Sequence, residues 1–389
     1  MKSFTDPTSY LMADSRGISP KNPSAGGWKK PPSSSKNGSL GNFATLITQN
    51  CHSYRELLTV DTFDSFTSLF LVLFGLLVVL PTSLTFWALF HVVFGSEGTI
   101  SPIRWLVSVV LPLYASIWGF KRKSLSWTGA LASYIAGFVV TMSSYVFSAG
   151  LIAFFVIGSK ATKVKASMKK QIEADYSEGG QRNWIQVICN GGAATGFATL
   201  YMLEAGCREK PIDFRMSYYE SSYALAVLGA LACCCGDTLA SELGSVWSKG
   251  DPRLITSFRR VPRGTNGGIS LVGLLVSLAG GLIIGLVFLL MTLLCLTGYA
   301  IRSSPPQYPV VLVGGICGLV GSLIDSYLGA LFQFSGIDEQ GRVVNRPGPG
   351  VKRINGVVML DNHAVNFISV AITALMAPRV GLEVWTYFV

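Results

Sequence analysis

The chain has 389 residues, half of them hydrophobic and only 13% charged, with a formal net charge of +10. Soluble domains carry about 25% charged residues, so this deficit, with apolar runs of membrane-spanning length, excludes an ordinary soluble protein. The basic excess lies between the apolar runs, where it reads as a topology signal. No zinc-finger or aromatic-basic motif accompanies it, so no nucleic-acid partner is expected.

Residues 1–66 are polar and rich in Ser, Pro, Gly and Asn, as at Gly26-Gly27 and Pro31-Pro32-Ser33-Ser34-Ser35. Such a composition cannot bury a core, and this stretch is expected to be a disordered cytosolic tail. It contains no apolar run of the signal-peptide kind. Residues 67–389 are expected to form a transmembrane helical domain.

Nine membrane segments are predicted, at about 68–92, 103–120, 125–143, 145–158, 185–204, 221–241, 267–297, 309–333 and 363–380. The third and fourth share one apolar stretch, 125–158, that is too long for a single helix, because about 20 residues span the hydrocarbon. Ser143-Ser144 is the expected turn between them.

Loop charge tests this count. With a cytosolic N-terminus, the cytosolic connections carry three Lys/Arg at 121–123, six from Lys160 to Arg182, five from Lys249 to Arg263 and four from Arg342 to Arg353. That makes 18, against 5 on the opposite side, at Arg104, Arg208, Lys210, Arg215 and Arg302. The bias is the positive-inside pattern. Trp385, Tyr387 and Phe388 are then expected in the opposite interface. The fold class is an all-α polytopic membrane bundle of about nine helices with its N-terminus in the cytosol. With no export or transit signal, the expected location is the endoplasmic reticulum or another intracellular membrane.

The eight cysteines suggest no metal or disulfide framework: Cys233, Cys234 and Cys235 are consecutive, and C-x₂₋₄-C spacing is absent. They read as small buried hydrophobes. Gly192-x₃-Gly196, Gly281-x₃-Gly285 and Gly314-x₃-Gly318 read as close helix-packing faces.

Three polar motifs interrupt the apolar C-terminal half: Gly236 to Gly244 (G-D-T-L-A-S-E-L-G), Gly264 to Gly268 (G-T-N-G-G) and Asp325 to Ala330 (D-S-Y-L-G-A). A carboxylate in a membrane run is costly unless it is used, so Asp237 and Asp325 are candidate functional residues. In the nine-helix topology, Asp237, Glu242, the 264–268 turn, Asp325, Asp361, Asn362, Asn366 and Asn190 all fall on the cytosolic side. Asp237 and Glu242 are five apart, roughly 140° around an α-helix, so both face one pocket only if the helix departs from α geometry between them.

Hard oxygen ligands from separate helices, Asp237, Asp325 and Asp361, suit Mg²⁺ together with substrate phosphates. A turn formed by Gly264, Thr265, Asn266, Gly267 and Gly268 at a helix entry suits phosphate, with Arg260 beside it. Asn190, Asn362 and Asn366 add amides to the same region.

At these residues the chain resembles the transmembrane protein 19 family, an integral-membrane family of archaea, bacteria and eukaryotes that includes the plant chloroplast phytyl-phosphate kinase. The matching motifs, in order, are G-D-T-L-A-S-E-L-G, V-P-R-G-T-N-G-G, G-S-L-I-D-S-Y-L-G-A-L-F-Q and L-D-N-H-A-V-N. The likeness covers roughly residues 68–380. Leu239 stands where the family pattern has Trp.

The resemblance implies a membrane-embedded kinase that moves a phosphate from ATP or CTP to a polyprenyl monophosphate, with Mg²⁺. It points to Asp237, Glu242, Asn266, Asp325 and Asn366. In this reading Asp237, Glu242 and Asp325 are catalytic, and the partners are the lipid bilayer and an isoprenoid phosphate. A proton- or ion-coupled transporter and a non-catalytic isoprenoid-phosphate binder are the alternatives.

Overall fold

Helices begin where the sequence supplies a cap and an apolar run follows. The computed structural model describes residues 100–164 and 181–388, preceded by residues 77, 81–85, 87–89 and 92. The predicted polar tail and most of the first predicted segment lie outside the described residues. Eight long helices are described: α1 (Pro102–Lys121), α2 (Trp127–Ser143), α3 (Tyr145–Lys163), α4 (Trp184–Ala205), α5 (Tyr218–Leu239), α6 (Leu271–Cys295), α7 (Pro309–Phe332) and α8 (Asn362–Thr386). Six of them, all but α2 and α4, are long and apolar enough to cross a membrane. α2 has only 17 residues, and α4 carries Gln186, Asn190 and Glu204 within its run.

Side chains cap several of these helices. The Ser126, Asn183, Ser270 and Asp361 side chains accept from the backbone N–H groups of Gly129, Gln186, Gly273 and Ala364 at 2.8–3.1 Å. Each satisfies a donor that a helix start leaves orphaned. Ser144 alone breaks the long apolar stretch. Its extended backbone (φ −159°, ψ 138°) ends α2, and its hydroxyl caps α3 by accepting from Val146 N at 3.1 Å. α3 then runs to Lys163, past the predicted end at 158, because Ser159 and Ala161 are buried inside the bundle.

α5 is the central helix. In its most apolar stretch 78% of residues are buried, against 33–44% in the other five spans. Beside it, glycines let α6 and α7 approach each other backbone to backbone. A Cβ at Gly281 would lie 2.2 Å from the Gly314 carbonyl oxygen, and one at Gly318 would lie 2.7 Å from Gly281 Cα. The Gly281/Gly285 and Gly314/Gly318 faces are therefore the packing surfaces their spacing suggested. Among the described residues Gly192 and Gly196 are not: a Cβ at Gly196 would meet nothing within 4 Å, and one at Gly192 only Ile188 of the same helix.

The connections segregate to two ends. At one end Lys163 Nζ donates to Arg122 O at 2.9 Å, and Arg182 N donates to Ser124 O at 3.0 Å. At the other, Gln307 exchanges two hydrogen bonds with the Ile212 backbone (2.8 and 2.9 Å). Arg104 also belongs to this second end, yet it is no loop charge. It is 7% exposed, pairs with Glu209 at 2.6 Å and lies over the Tyr145 ring. α8 continues beyond residue 380, and Trp385, at this same second end, is buried against Phe214.

Two small antiparallel sheets, absent from the all-helical expectation, sit in two of the basic connections. β1 (Arg253–Leu254) pairs with β2 (Gly268–Ile269), and β3 (Ser335–Ile337) lies between β4 (Val343–Val344) and β5 (Lys352–Asn355). Pairing of β2 holds residues 268 and 269 extended, so α6 starts at Leu271 and not at 267.

Candidate functional site

Gly236 brings the first carboxylate into place. A Cβ there would lie 2.6 Å from the Gly318 carbonyl oxygen, so only glycine lets α5 meet α7 this closely. Asp237 follows, and its Oδ1 accepts from the Ser322 hydroxyl of α7 at 3.3 Å. About one turn further along α7, Asp325 Oδ2 accepts from the Ser369 hydroxyl of α8 at 2.9 Å. Asn366, one turn before Ser369, donates from its amide nitrogen to the Asn362 carbonyl (2.9 Å) and to Asp325 Oδ2 (3.2 Å). Its other amide atom lies 3.3 Å from the Asn190 side chain on α4. The Asn190 backbone carbonyl in turn accepts from Cys234 Sγ of α5 at 2.9 Å. Four helices thus present Asp237, Asp325, Asn366 and Asn190 to one another.

Glu242 joins them by the departure from α geometry that its spacing requires. After Leu239 the chain widens into a π-helical turn, Ala240–Gly244, before one last α turn, Ser245–Trp247. In a π turn the bonded partner is five residues away, so residues five apart come towards the same face. Asp325 and Glu242 both lie within electrostatic reach of Asp237. Glu242 is also near Arg182, whose guanidinium is pulled below the usual arginine range by burial and pushed back up by Glu242.

The other predicted residues have different surroundings. Asp361 is exposed and caps α8 through Ala364 N (2.8 Å). Among the described residues no three His, Cys, Asp or Glu side chains are grouped to hold a metal, so Asp361 does not complete a triad with Asp237 and Asp325. Asn362 is exposed in the first turn of α8 and meets Asn366 through its carbonyl.

The 264–268 turn is held by its own backbone and by its neighbours. Gly264 and Gly267 have φ of +88° and +79°, which side chains disfavour. A Cβ at Gly267 would lie 2.8 Å from Ser326 O and 2.4 Å from Ala330 Cβ, so the turn packs on α7 beside Asp325. The amides of Thr265 and Gly268 donate to Pro262 O and Thr265 O (3.3 and 3.0 Å), and that of Asn266 donates to Ser335 Oγ at 3.0 Å. The Asn266 side chain reaches Phe334 O and Asn345 (both 3.1 Å). Three amides expected to be free for phosphate are therefore already bonded within the protein. The turn leads into β2 rather than directly into a helix start. Arg260 is exposed on the β1–β2 connection.

Among the described residues neither Asp237 nor Asp325 forms an ion pair with Lys or Arg. Two carboxylates in a low-dielectric interior need a counter-charge. Mg²⁺ is commonly held by one or two carboxylates plus substrate phosphates, so this oxygen-only donor pair fits it without a third acid.

Sequence reasoning missed Ser369 and Arg182. Ser369 lies three residues after Asn366, the spacing that puts both on one helix face. Arg182 counts as a loop charge in the topology pattern, but it immediately precedes Asn183, the cap of α4, and so sits at the bundle's edge.

The integral membrane protein DUF92 family matches residues 110–374, a span that contains all of these helices' site residues. Protein PGR of Arabidopsis thaliana is 40% identical over 277 residues, covering 70% of this chain and 94% of that protein. A membrane protein of Methanocaldococcus jannaschii is 30% identical over 236 residues (60% of this chain, 86% of that one). Protein VTE6, chloroplastic, of Arabidopsis thaliana is 29% identical over 256 residues (65% of this chain, 64% of that one). No solved structure matches the chain.

Proposed function

The chain belongs to the integral membrane protein DUF92 family, and we propose that it transfers a phosphate from a nucleoside triphosphate, ATP or CTP, to a polyprenyl monophosphate. One observation carries this reading: two carboxylates from neighbouring helices, Asp237 and Asp325, meet polar hydroxyls and amides but no basic partner among the described residues. Such a pair suits a divalent cation that travels with phosphates. The motif likeness to a prenyl-phosphate kinase family supports the same substrate class.

In this reading Asp237 and Asp325 hold Mg²⁺, which when bound neutralises phosphate charge. Glu242 is a positioning residue between Asp237 and Arg182. Asn190 orients phosphate oxygens by donating from its amide, and Asn366 does the same by exchanging its bond to the Asn362 carbonyl for one to phosphate. Arg260 contacts the nucleotide phosphates; the 264–268 turn, with three of its amides bonded within the protein, packs on α7 beside Asp325, and Asn362 borders the same rim. An oxygen of the prenyl monophosphate forms a bond to the terminal phosphorus of the nucleotide as the bridging P–O bond breaks. The nucleoside diphosphate leaves with the electron pair, and the lipid becomes a diphosphate. A phosphate monoester loses its second proton near pH 6, so the attacking oxygen is already largely ionised at neutral pH. Positioning and charge neutralisation are then sufficient, and no nucleophilic side chain is required.

The topology belongs to the same proposal: nine helices, an N-terminus in the cytosol and the site at the cytosolic end of the bundle. The charge bias of 18 against 5 supports it, as does the grouping of the connections into two ends. The membrane is that of the endoplasmic reticulum or another intracellular compartment. The test is nucleotide-dependent formation of prenyl diphosphate by the purified protein with Mg²⁺ and a panel of prenyl monophosphates. A folded protein that makes no diphosphate with any of them overturns the kinase reading.

A further inference from the structure

An apolar cavity lies between α1, α2, α3 and α4, away from the carboxylate pair but joined to it at one end. The cavity itself measures about 90 Å³ and opens into a wider hollow of about 750 Å³ that includes the open surroundings. Its walls are almost wholly apolar, with Leu111, Ala136, Leu151 and Phe155 among them. On α2 it runs from Ser133 to Thr141, roughly 12 Å at 1.5 Å per residue. A hydrogen bond between Thr141 and Ser148 (2.9 Å) lies at the far end.

The opposite end is polar: Arg182, Gln186 and Asn190 line it. Asn190 is the residue that also meets Asn366, and Asn366 meets Asp325. The cavity therefore ends where the carboxylate site begins.

Arg182 is held there by its main chain. Its N–H donates to Ser124 O, and its carbonyl accepts from Ser126 N, both at 3.0 Å, so the backbone is pinned to the α1–α2 connection. A Cβ on Gly129 would lie 2.0 Å from that carbonyl oxygen, so a glycine is needed for the contact. The guanidinium lies 5.9 Å from the Phe154 ring centroid and, among the described residues, donates once, to Ser159 Oγ at 3.3 Å. A guanidinium has five N–H donors in a fork that matches phosphate, so most of this one's donors remain for a ligand.

We propose that this cavity holds the hydrocarbon chain of a single-chain isoprenoid phosphate, with Arg182 binding its phosphate beside Asn190 and Glu242. The ligand class rests on the phosphotransfer reading; the place and the anchoring residue come from the cavity itself. The site presents one guanidinium at the mouth of one apolar channel, which matches a lipid with one phosphate and one chain. Arg182 presents the phosphate towards the Asp237–Asp325 pair.

The experiment is binding without nucleotide, by the full chain in detergent, of geranylgeranyl monophosphate, of the alcohol geranylgeraniol and of a phosphatidic acid. Arg182→Gln is expected to weaken the monophosphate at least tenfold and to leave the alcohol unchanged. Ser133→Leu, which fills the channel from α2, is expected to weaken both. Wild-type-like monophosphate binding by Arg182→Gln, or wild-type-like binding of both ligands by Ser133→Leu, overturns the inference. So does phosphatidic acid that competes as well as the monophosphate, since the channel is then a general lipid site. The two readings fail separately. Arg182-dependent binding with no diphosphate formation removes the kinase and keeps this site; diphosphate formation unaffected by Arg182→Gln removes this site and keeps the kinase.

Discussion

Ser322 on α7 donates to Asp237 on α5 at 3.3 Å, about one turn before Asp325 on the same helix. α7 therefore supplies both a hydrogen-bond partner for one carboxylate and the whole of the other. Asp237→Asn and Asp325→Asn are each expected to lower Mg²⁺-dependent transfer by on the order of 10²-fold or more. Thermal unfolding in detergent should be unchanged or slightly higher, because an isosteric amide removes a buried charge. Near wild-type turnover in both variants would remove the metal assignment.

Asp361 separates a capping role from a metal-binding one. Asp and Asn cap helices almost equally well, whereas Ala costs about 1 kcal/mol. Asp361→Asn should thus preserve both stability and turnover, and Asp361→Ala should lose about 1 kcal/mol of stability. If Asp361→Asn behaved like Asp237→Asn in the transfer assay, the capping account would be incomplete.

The glycine contacts predict opposite outcomes at two superficially similar motifs. Gly318→Val forces a side chain into a space where a Cβ already meets Gly281 Cα at 2.7 Å, and overpacking of this kind costs about 3 kcal/mol. It should also displace Asp237, whose approach depends on the Gly236–Gly318 contact. Gly196→Ala, on a face where a Cβ meets nothing within 4 Å, should raise helix stability by about 0.5–1 kcal/mol. Equal destabilisation by the two would contradict the packing described for α4 and α7.

At the other end of the bundle, Arg104 and Glu209 form a buried pair whose side chains are 8% and 11% exposed. Tyr145 N also donates to Glu209 Oε1 at 2.8 Å. Arg104→Met leaves Glu209 unpaired and should cost about 3–5 kcal/mol, and the double variant Arg104→Met/Glu209→Met should recover much of that loss. A double-mutant cycle on unfolding temperature measures the coupling; additive losses would mean the pair is incidental.

Much of the architecture was legible because it depends on local composition. Apolar runs long enough to span a membrane must become helices, since every backbone polar group in lipid needs an internal partner. Ser143-Ser144 had to mark the break in a stretch too long for one span, and Ser144 does so with its own hydroxyl. That Gly281 and Gly314 lie on packing faces followed from spacing; that they face each other, and that Gly196 is idle among the described residues, did not, because spacing records which face is small but not what lies opposite.

The carboxylates at the site were legible for a similar reason. Asp237 and Asp325 stand out wherever the surrounding residues are apolar, whatever their partners. The geometry that connects them needed the tertiary structure. Whether Glu242 turns towards Asp237 depends on a π turn that sequence spacing permits but does not dictate. Whether Asp361 is a ligand or a cap depends on where α8 starts relative to α7. Arg104 and Arg182 look like loop charges in sequence because charge counting assigns a side of the membrane and no direction. Packing turned Arg104 onto Glu209 and Arg182 towards the cavity mouth. Composition and periodicity determine which segments leave water, because transfer energy is a property of each residue. Which side chains then meet is a property of pairs distant in the chain, and only the packed helices decide it.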